Sequence, residues 1–332
     1  MLRARRSVAA LGLVGVLVVL MVTTLALQGC ARPQVRRLSI ATGGTGGVYY
    51  VYGGGLAALV SRYVKGVEAT AEVTAASVDN CKLIGAGKAD LAFVMADTAN
   101  DAFRGQGKFK ETGQVPLRTL ATLYSNFTHI VVLEGSGIRS VADLRGKKVS
   151  TGAPGSGTEV IALRVLEACG LDPDKDIVRD RLGVSESAGA LKDRKIDAFF
   201  WSGGLPTAAV LDLAATPGIK IALLPHEDAV KKMVEKYGPV YFSLVIPRGT
   251  YPNVDADVPV SAVGNLLVAS EKMDENLVYE IVKAMFEHQA DLIAVHKEAK
   301  NLTLQTAVLG SPIPYHPGAI RYYKEKQVWK GQ

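Results

Sequence analysis

The sequence predicts an α/β protein of two lobes, and three observations carry that prediction. Short apolar runs alternate with amphipathic helical patterns along most of the chain, the mark of βα units on a largely parallel sheet. Two glycine-rich turns, Thr42-Gly43-Gly44-Thr45-Gly46-Gly47 and Gly152-Ala153-Pro154-Gly155-Ser156-Gly157-Thr158, each end a short strand-like run and open a helical one. Roughly 300 residues follow Cys30, more than one core comfortably holds.

The chain opens with a segment to be set aside from the fold. Arg3, Arg5 and Arg6 form a basic head, and Val8 to Leu27 is an uncharged, mostly apolar run. That run approaches the roughly 20 residues needed to cross a bilayer. Leu27-Gln28-Gly29-Cys30, followed at once by polar sequence, resembles a bacterial lipobox, which makes Cys30 the candidate lipidated residue. Residues 1–29 then form a signal peptide and residues 30–36 a tether. An ordinary signal peptide or a membrane helix ending in Cys is the alternative. In every case the remainder faces an extracytoplasmic space.

The formal charge of +6 falls to +3 once the three leader arginines are set aside. There is no polybasic tract or aromatic–basic interleaving, so nucleic acid is not an expected partner. Cys81 and Cys169 fall in separate helical patterns far apart in sequence and read as two free, buried thiols rather than a disulfide. The five histidines are scattered without ligand-type spacing, so no metal and no cofactor is expected.

Each element follows in order. Leu38 to Ala41 is a strand, and the first glycine turn leads into a helix carrying Tyr49, Leu56, Val60 and Tyr63. Residues 69–75 form a strand, Ser77 and Asp79 stand where a helix cap is wanted, and Leu91 to Met95 is a third strand ending at Asp97 and Thr98. Leu117 to Tyr124 and His129 to Leu133 read as two further strands. A fresh unit begins at Ser140. It runs through the strand to Ser150, the second glycine turn, a helix with Val160, Ile161, Val165 and Leu166 on one face, a strand from Ile177 to Leu182 and a helix from Ser185 to Leu191. Ile196 to Trp201 is a buried strand broken at Ser202-Gly203-Gly204-Leu205-Pro206, and Val240 to Pro247 returns as another. A long helix from Glu275 to about Lys300 shows the stripe Val278, Ile281, Val282, Met285, Leu292 and Val295, expected to pack on the first lobe. The first lobe is thus 37–134 with 246–332 and the second 135–245. Two crossings make a hinge with a ligand cleft between the lobes.

No motif for catalysis stands out. From Gly44 and from Gly155 the glycine spacing misses the dinucleotide fingerprint at Tyr49 and Val160; Gly146-Lys147 lacks the rest of a phosphate loop. Gly155-Ser156-Gly157 is not a nucleophile elbow, because Pro154 stands two before Ser156. No catalytic residue is assigned and an enzyme is not expected, an unidentified reaction on the same scaffold being the alternative. What remains is recognition: a helix N-terminus behind each glycine turn offers N–H donors to an anion, and two such ends facing each other suit a small acid.

Ala41-Thr42-Gly43-Gly44-Thr45-Gly46-Gly47-Val48-Tyr49-Tyr50, Ser77-Val78-Asp79-Asn80, Gly152 to Thr158, Asp197-Ala198-Phe199-Phe200 with Gly204 and Pro206, and His316-Pro317-Gly318-Ala319 together resemble the TAXI family. These are solute-binding proteins of tripartite ATP-independent periplasmic (TRAP) transporters. The resemblance implies a two-lobed type II periplasmic-binding-protein fold that delivers a solute to TRAP permease subunits driven by an ion gradient. It implies a small carboxylate ligand, either an amino acid such as glutamate or glutamine or a dicarboxylate such as 2-oxoglutarate. By position it puts Thr45, Gly46, Gly47, Tyr49, Ser77 and Asn80 on the first wall and Ser156, Gly157 and Thr158 on the second. Trp201 and Gly204 would close the far side, and Asp97 would receive an ammonium group or cap its helix. Val51 stands where the family commonly has Pro, and Met95 where Gln is common, an exchange of amide for thioether that would alter specificity.

Overall fold

The computed structural model describes residues 35–331, so the leader and Cys30 lie outside the described residues. Strand β1 (Arg36–Ala41) starts exposed and buries Leu38, Ile40 and Ala41, and is followed by helix α1 (Val48–Tyr63), strand β2 (Val67–Glu72), helix α2 (Ser77–Gly85), strand β3 (Leu91–Met95) and helix α3 (Ala96–Arg104). All five residues of β3 are buried, as an apolar run covered on both faces requires. Gly105, in the left-handed conformation, closes α3.

Strand β4 (Leu117–Leu133) then leads to β5 (Lys148–Ser150), α4 (Gly157–Ala168), β6 (Val178–Asp180), α5 (Val184–Lys192), β7 (Ala198–Gly203), α6 (Ala208–Ala215), β8 (Ile221–Leu223), α7 (Ala229–Tyr237) and β9 (Tyr241–Ile246). Strand β10 (Val258–Ser270) carries the chain back to α8 (Glu275–Glu287), α9 (Gln289–Val295), α10 (Leu304–Ala307) and α11 (Pro317–Glu325). Asp274 caps α8 by accepting from the Leu277 N–H at 2.8 Å, and Pro317 starts α11 behind a His316 cap.

The sheet order is β2-β1-β3-β10-β4-β7-β5-β6, with β8 on β4 and β9 on β10. It is mixed rather than largely parallel. The parallel pairs β1–β3 and β7–β5–β6 flank two long antiparallel strands, β4 and β10. Each long strand changes partner along its length, β4 from β10 to β7 at Phe127 and β10 from β9 to β3 between Val263 and Asn265, so the sheet is crossed there by strand and not by loop. Leu117–Tyr124 and His129–Leu133, expected as separate strands, are one because the polar stretch between them stays paired. Asn126 faces Val263, while Thr128 faces Ser202. Asn126, Thr128 and Asn265 are fully buried at this crossing.

The expected long helix breaks at His288, where the backbone turns to φ −122° and the ring stacks on Tyr63 of α1 with centroids 3.5 Å apart. Most of its apolar stripe packs as expected: Val278, Ile281, Val282, Met285 and Leu292 join Leu56, Val60 and Phe93 in one core, whereas Val295, past the break, is exposed. On the other sheet face a single core continues from Val78 and Val94 past Val263 to Phe200, Ile161 and Val165, joining the lobes without a gap. Cys81 and Cys169 are free, the first buried and the second half-buried.

Two histidines are locked into this frame. Nδ1 of His129 lies 2.9 Å from the Phe127 carbonyl and Nδ1 of His226 lies 2.9 Å from the Leu224 carbonyl. A carbonyl only accepts, so each Nδ1 carries the hydrogen and each Nε2 accepts, from the Tyr251 and Ser261 hydroxyls respectively. Burial lowers both pKa values to about 4. The unfolded chain, with histidine near 6.5, takes up these protons first. The stability the neutral rings provide is therefore complete above about pH 6.5 and is lost as pH falls toward 4. At pH 5.5 the ring nitrogen shifts of both residues should report the neutral Nδ1–H form, and Tm should drop between pH 7 and 4.5. An imidazolium signal from either residue at pH 5.5 contradicts this.

Candidate functional site

The first glycine turn exists to let β1 end against the second lobe. Gly46 and Gly47 carry no Cβ, and one built on Gly47 would meet Trp201 Cη2 at 2.9 Å, while one on Gly46 would meet Ser185 and Ala209. The second turn does the reverse. A Cβ on Gly157 would meet Met95 Sδ at 2.6 Å and Ser77 Oγ at 2.7 Å, and Gly155, at φ +83°, presses on Asp79. The Gly155 carbonyl accepts from the N–H groups of both Val78 and Asp79 at 3.1 Å. The lobes are closed on each other over side-chain-free backbone.

Between them lies a cavity of about 410 Å³. Four helices begin at its wall: α1 at Gly47 and Val48, α2 at Ala76 and Ser77, α4 at Ser156 and Gly157, and α5 at Gly183 and Val184. The first N–H groups of each helix have no partner within it, and each end carries a partial positive charge of roughly half a unit. Most of the remaining wall is apolar, including Val48, Met95, Pro154, Leu182 and Trp201. Two further groups point to an occupant. The hydroxyls of Tyr124 and Ser202, both on the wall, are buried and have no hydrogen-bond partner among the described residues. Such a group costs about 1–3 kcal/mol unless a ligand or water satisfies it.

Of the residues expected from sequence, Gly47, Tyr49, Ser77, Ser156, Gly157, Thr158 and Trp201 are brought together on the wall. Their roles differ from the expectation in places. Ser156 Oγ is engaged as the cap of α4, accepting from Glu159 N–H at 3.0 Å and donating to the Ala153 carbonyl at 2.7 Å. Thr158 Oγ1 accepts from the Ser202 N–H at 3.3 Å and keeps its own hydrogen to donate. Trp201 Nε1–H is held by Thr207 Oγ1 at 2.7 Å. Burial pushes the Tyr49 hydroxyl well above the ordinary tyrosine range, so it remains a donor, and it donates to Asn265 Oδ1. Asn265 and Asn126 exchange amide hydrogen bonds at the strand crossing, behind the cavity wall.

The other expected residues are not on the wall. Thr45 is exposed at the tip of its turn. Gly46 backs onto α5 and α6. Asn80 is a staple: its Nδ2 donates to the carbonyls of Thr42 and Phe93, and its Oδ1 accepts from Thr74. Gly204 is covered by Glu298 and Tyr124. Asp97 takes no ammonium here, because its oxygens are already taken. Oδ1 accepts from the Thr98 N–H, and Oδ2 accepts from the Tyr241 hydroxyl at 2.8 Å with the Arg164 guanidinium at 3.6 Å. Sequence reasoning passed over Tyr124 and Ser202 of the wall, which lie in apolar strands where a polar residue among hydrophobic neighbours is the signal available.

Arg164 of α4 joins Asp97 and Asp101 of α3 and Tyr241 of β9 into one cluster across the lobes, with Tyr237 stacked 4.2 Å from its guanidinium. Burial raises the Asp101 carboxyl and Arg164 opposes that shift. Removing one member of such a pair strands buried charge. Arg164→Met should therefore destabilise the protein by about 3 kcal/mol or more in chemical denaturation. A loss below about 1 kcal/mol, the range of a surface pair, counts against this.

The family model described as NMT1-like matches residues 40–326. The chain belongs to the NMT1-like family. Among solved structures, one of a protein from Bordetella bronchiseptica RB50 is similar with a TM-score of 0.51 at 19% identity, covering 87% of this chain and 88% of that one. An ancestral arginine-binding protein bound to arginine matches with 0.50 at 14%, over 80% and 98%. The periplasmic aliphatic sulphonate binding protein SsuA from Escherichia coli matches with 0.45 at 16%, over 87% and 83%. At these identities the likeness speaks of the fold, and the NMT1-like chain has the two-lobed periplasmic-binding-protein fold.

Proposed function

We propose that this chain is an extracytoplasmic solute receptor which closes around a small carboxylate and hands it to a membrane permease. The observation that carries the reading is the convergence of four helix N-termini on one partly open cavity between the lobes. Such an arrangement holds an anion by backbone dipoles without placing a full positive charge beside it. The wall includes no histidine or cysteine, and its charged side chains, Arg181 and Glu186, are both exposed. That composition favours binding over the enzyme alternative. The motifs resembling TAXI proteins support delivery to a TRAP permease, with lipid anchoring at Cys30 the matching tether.

Calorimetry and thermal shift with a panel of monocarboxylates, dicarboxylates and amino acids test the reading. One acid at a hundred times its Kd should raise Tm by about 5 °C or more and be recovered unchanged. Turnover of that acid, or no binder in the whole panel, overturns the receptor. Gly47→Ala tests closure itself. The extended backbone at Gly47, φ −104° and ψ 166°, accepts any residue, and the clash of the new methyl is with Trp201 in the other lobe. Affinity for the bound acid should fall at least about tenfold, equivalent to about 1.4 kcal/mol, while the ligand-free Tm stays within a few degrees. Undiminished affinity would mean the lobes do not close on the ligand as they do here.

A further inference from the structure

Resting on the receptor reading above, we propose that the solute of this cavity is an anion bearing no ammonium group, a carboxylate on a mainly apolar body, and that the site discriminates against α-amino acids. An α-ammonium group needs a carboxylate or a set of free carbonyls, and it is repelled by the positive end of a helix. Here four such ends surround the space. Asp97, which follows Met95 of the wall in sequence, is turned to Thr98, Tyr241 and Arg164. Glu186 is exposed at the rim, and Asp79, in the first turn of α2, does not line the cavity. The Gly155 carbonyl, which could have received an ammonium hydrogen, is used twice over by Val78 and Asp79.

The groups that are left favour an anion with a hydrocarbon body. The Tyr124 and Ser202 hydroxyls belong to wall residues, are buried and have no partner among the described residues, so each has a hydrogen free for a carboxylate that reaches it. The Thr158 hydroxyl keeps its hydrogen, since its oxygen is the acceptor of the Ser202 N–H. Arg181 is bound to Glu159 by two hydrogen bonds and is exposed, which leaves it a rim group rather than the buried partner of a second carboxylate. Val48, Met95, Leu182 and Trp201 supply the apolar side. Met95 in particular puts a thioether where a polar side chain could have addressed an amine or amide.

Matched pairs of probes isolate the ammonium group: 4-methylpentanoate against leucine, and glutarate against glutamate, each titrated calorimetrically. In the pair that binds more tightly, the acid without nitrogen should bind at least tenfold better than its amino partner, and 4-methylpentanoate should exceed glutarate. An amino acid binding as tightly as its partner overturns this assignment and leaves the receptor reading standing. If none of the four binds at millimolar concentration, the proposed class is wrong, and the broader panel decides the receptor reading separately. Tyr124→Phe and Ser202→Ala, which remove hydroxyls with no protein partner, should each weaken the bound acid about tenfold without lowering the ligand-free Tm. Unchanged affinity in both variants overturns the placement of the anion.

Discussion

Four helix N-termini aimed into one partly open cavity repel one another, and the closed structure depends on how that repulsion is met. Each end carries a partial positive charge that water screens when the lobes are apart and that low dielectric strengthens when they shut. Two of the donors at the start of α2 are neutralised within the protein, because the Gly155 carbonyl of the opposite lobe accepts from both. Ser156 satisfies one donor of α4 by capping it. The starts of α1 and α5 have no side-chain cap. On the receptor reading proposed above, a bound anion would supply the balance, which would make ligand charge and lobe closure two parts of one equilibrium.

Closure also needs contact without bulk. The glycines at 46, 47, 155 and 157 are where the backbone of each lobe meets side chains or carbonyls of the other. This explains why turns that resemble nucleotide-binding loops miss the dinucleotide spacing. Their glycines are placed for a neighbouring lobe and for the start of a helix, not for a pyrophosphate. Ala76 shows the same demand from the other side: a non-glycine residue held at φ 86° just before α2. Local strain of this kind persists where the surroundings impose it.

The strand–turn–helix junctions, the two lobes and the wall residues beside the glycines were legible in the sequence because each is a local pattern. Register and partner choice were not. Asn80 looks like a ligand donor from its position after Ser77, yet every polar atom of its side chain is committed to the backbone or to Thr74. Asp97 looks like a free carboxylate at a strand end, and only the fold brings Arg164 and Tyr241 to it. Conversely, Tyr124 and Ser202 read as strand residues, and what marks them is the absence of a partner in the folded protein, which no spacing records. The helix break at His288 depends on stacking with Tyr63, more than 200 positions earlier in the chain.

The two crossings and the Arg164 cluster constrain how far such a receptor opens. Strands β4 and β10 are hydrogen-bonded to each other through the crossing, and the Asn126–Asn265 pair with Tyr49 sits at that place. Bending there keeps the strand ladder intact and moves the lobe edges most. The Arg164 cluster joins α3 to α4 through a buried ion pair, and separating such charges exposes each to water while removing its partner. Opening that preserved the cluster would have to pivot close to it and swing the glycine turn of α1 away from Trp201. The contact at Gly47 and the contact at Arg164 are therefore not equivalent: one is backbone against a ring, with a single long hydrogen bond from the Ala209 N–H to the neighbouring Gly46 carbonyl at 3.4 Å, while the other holds buried charge.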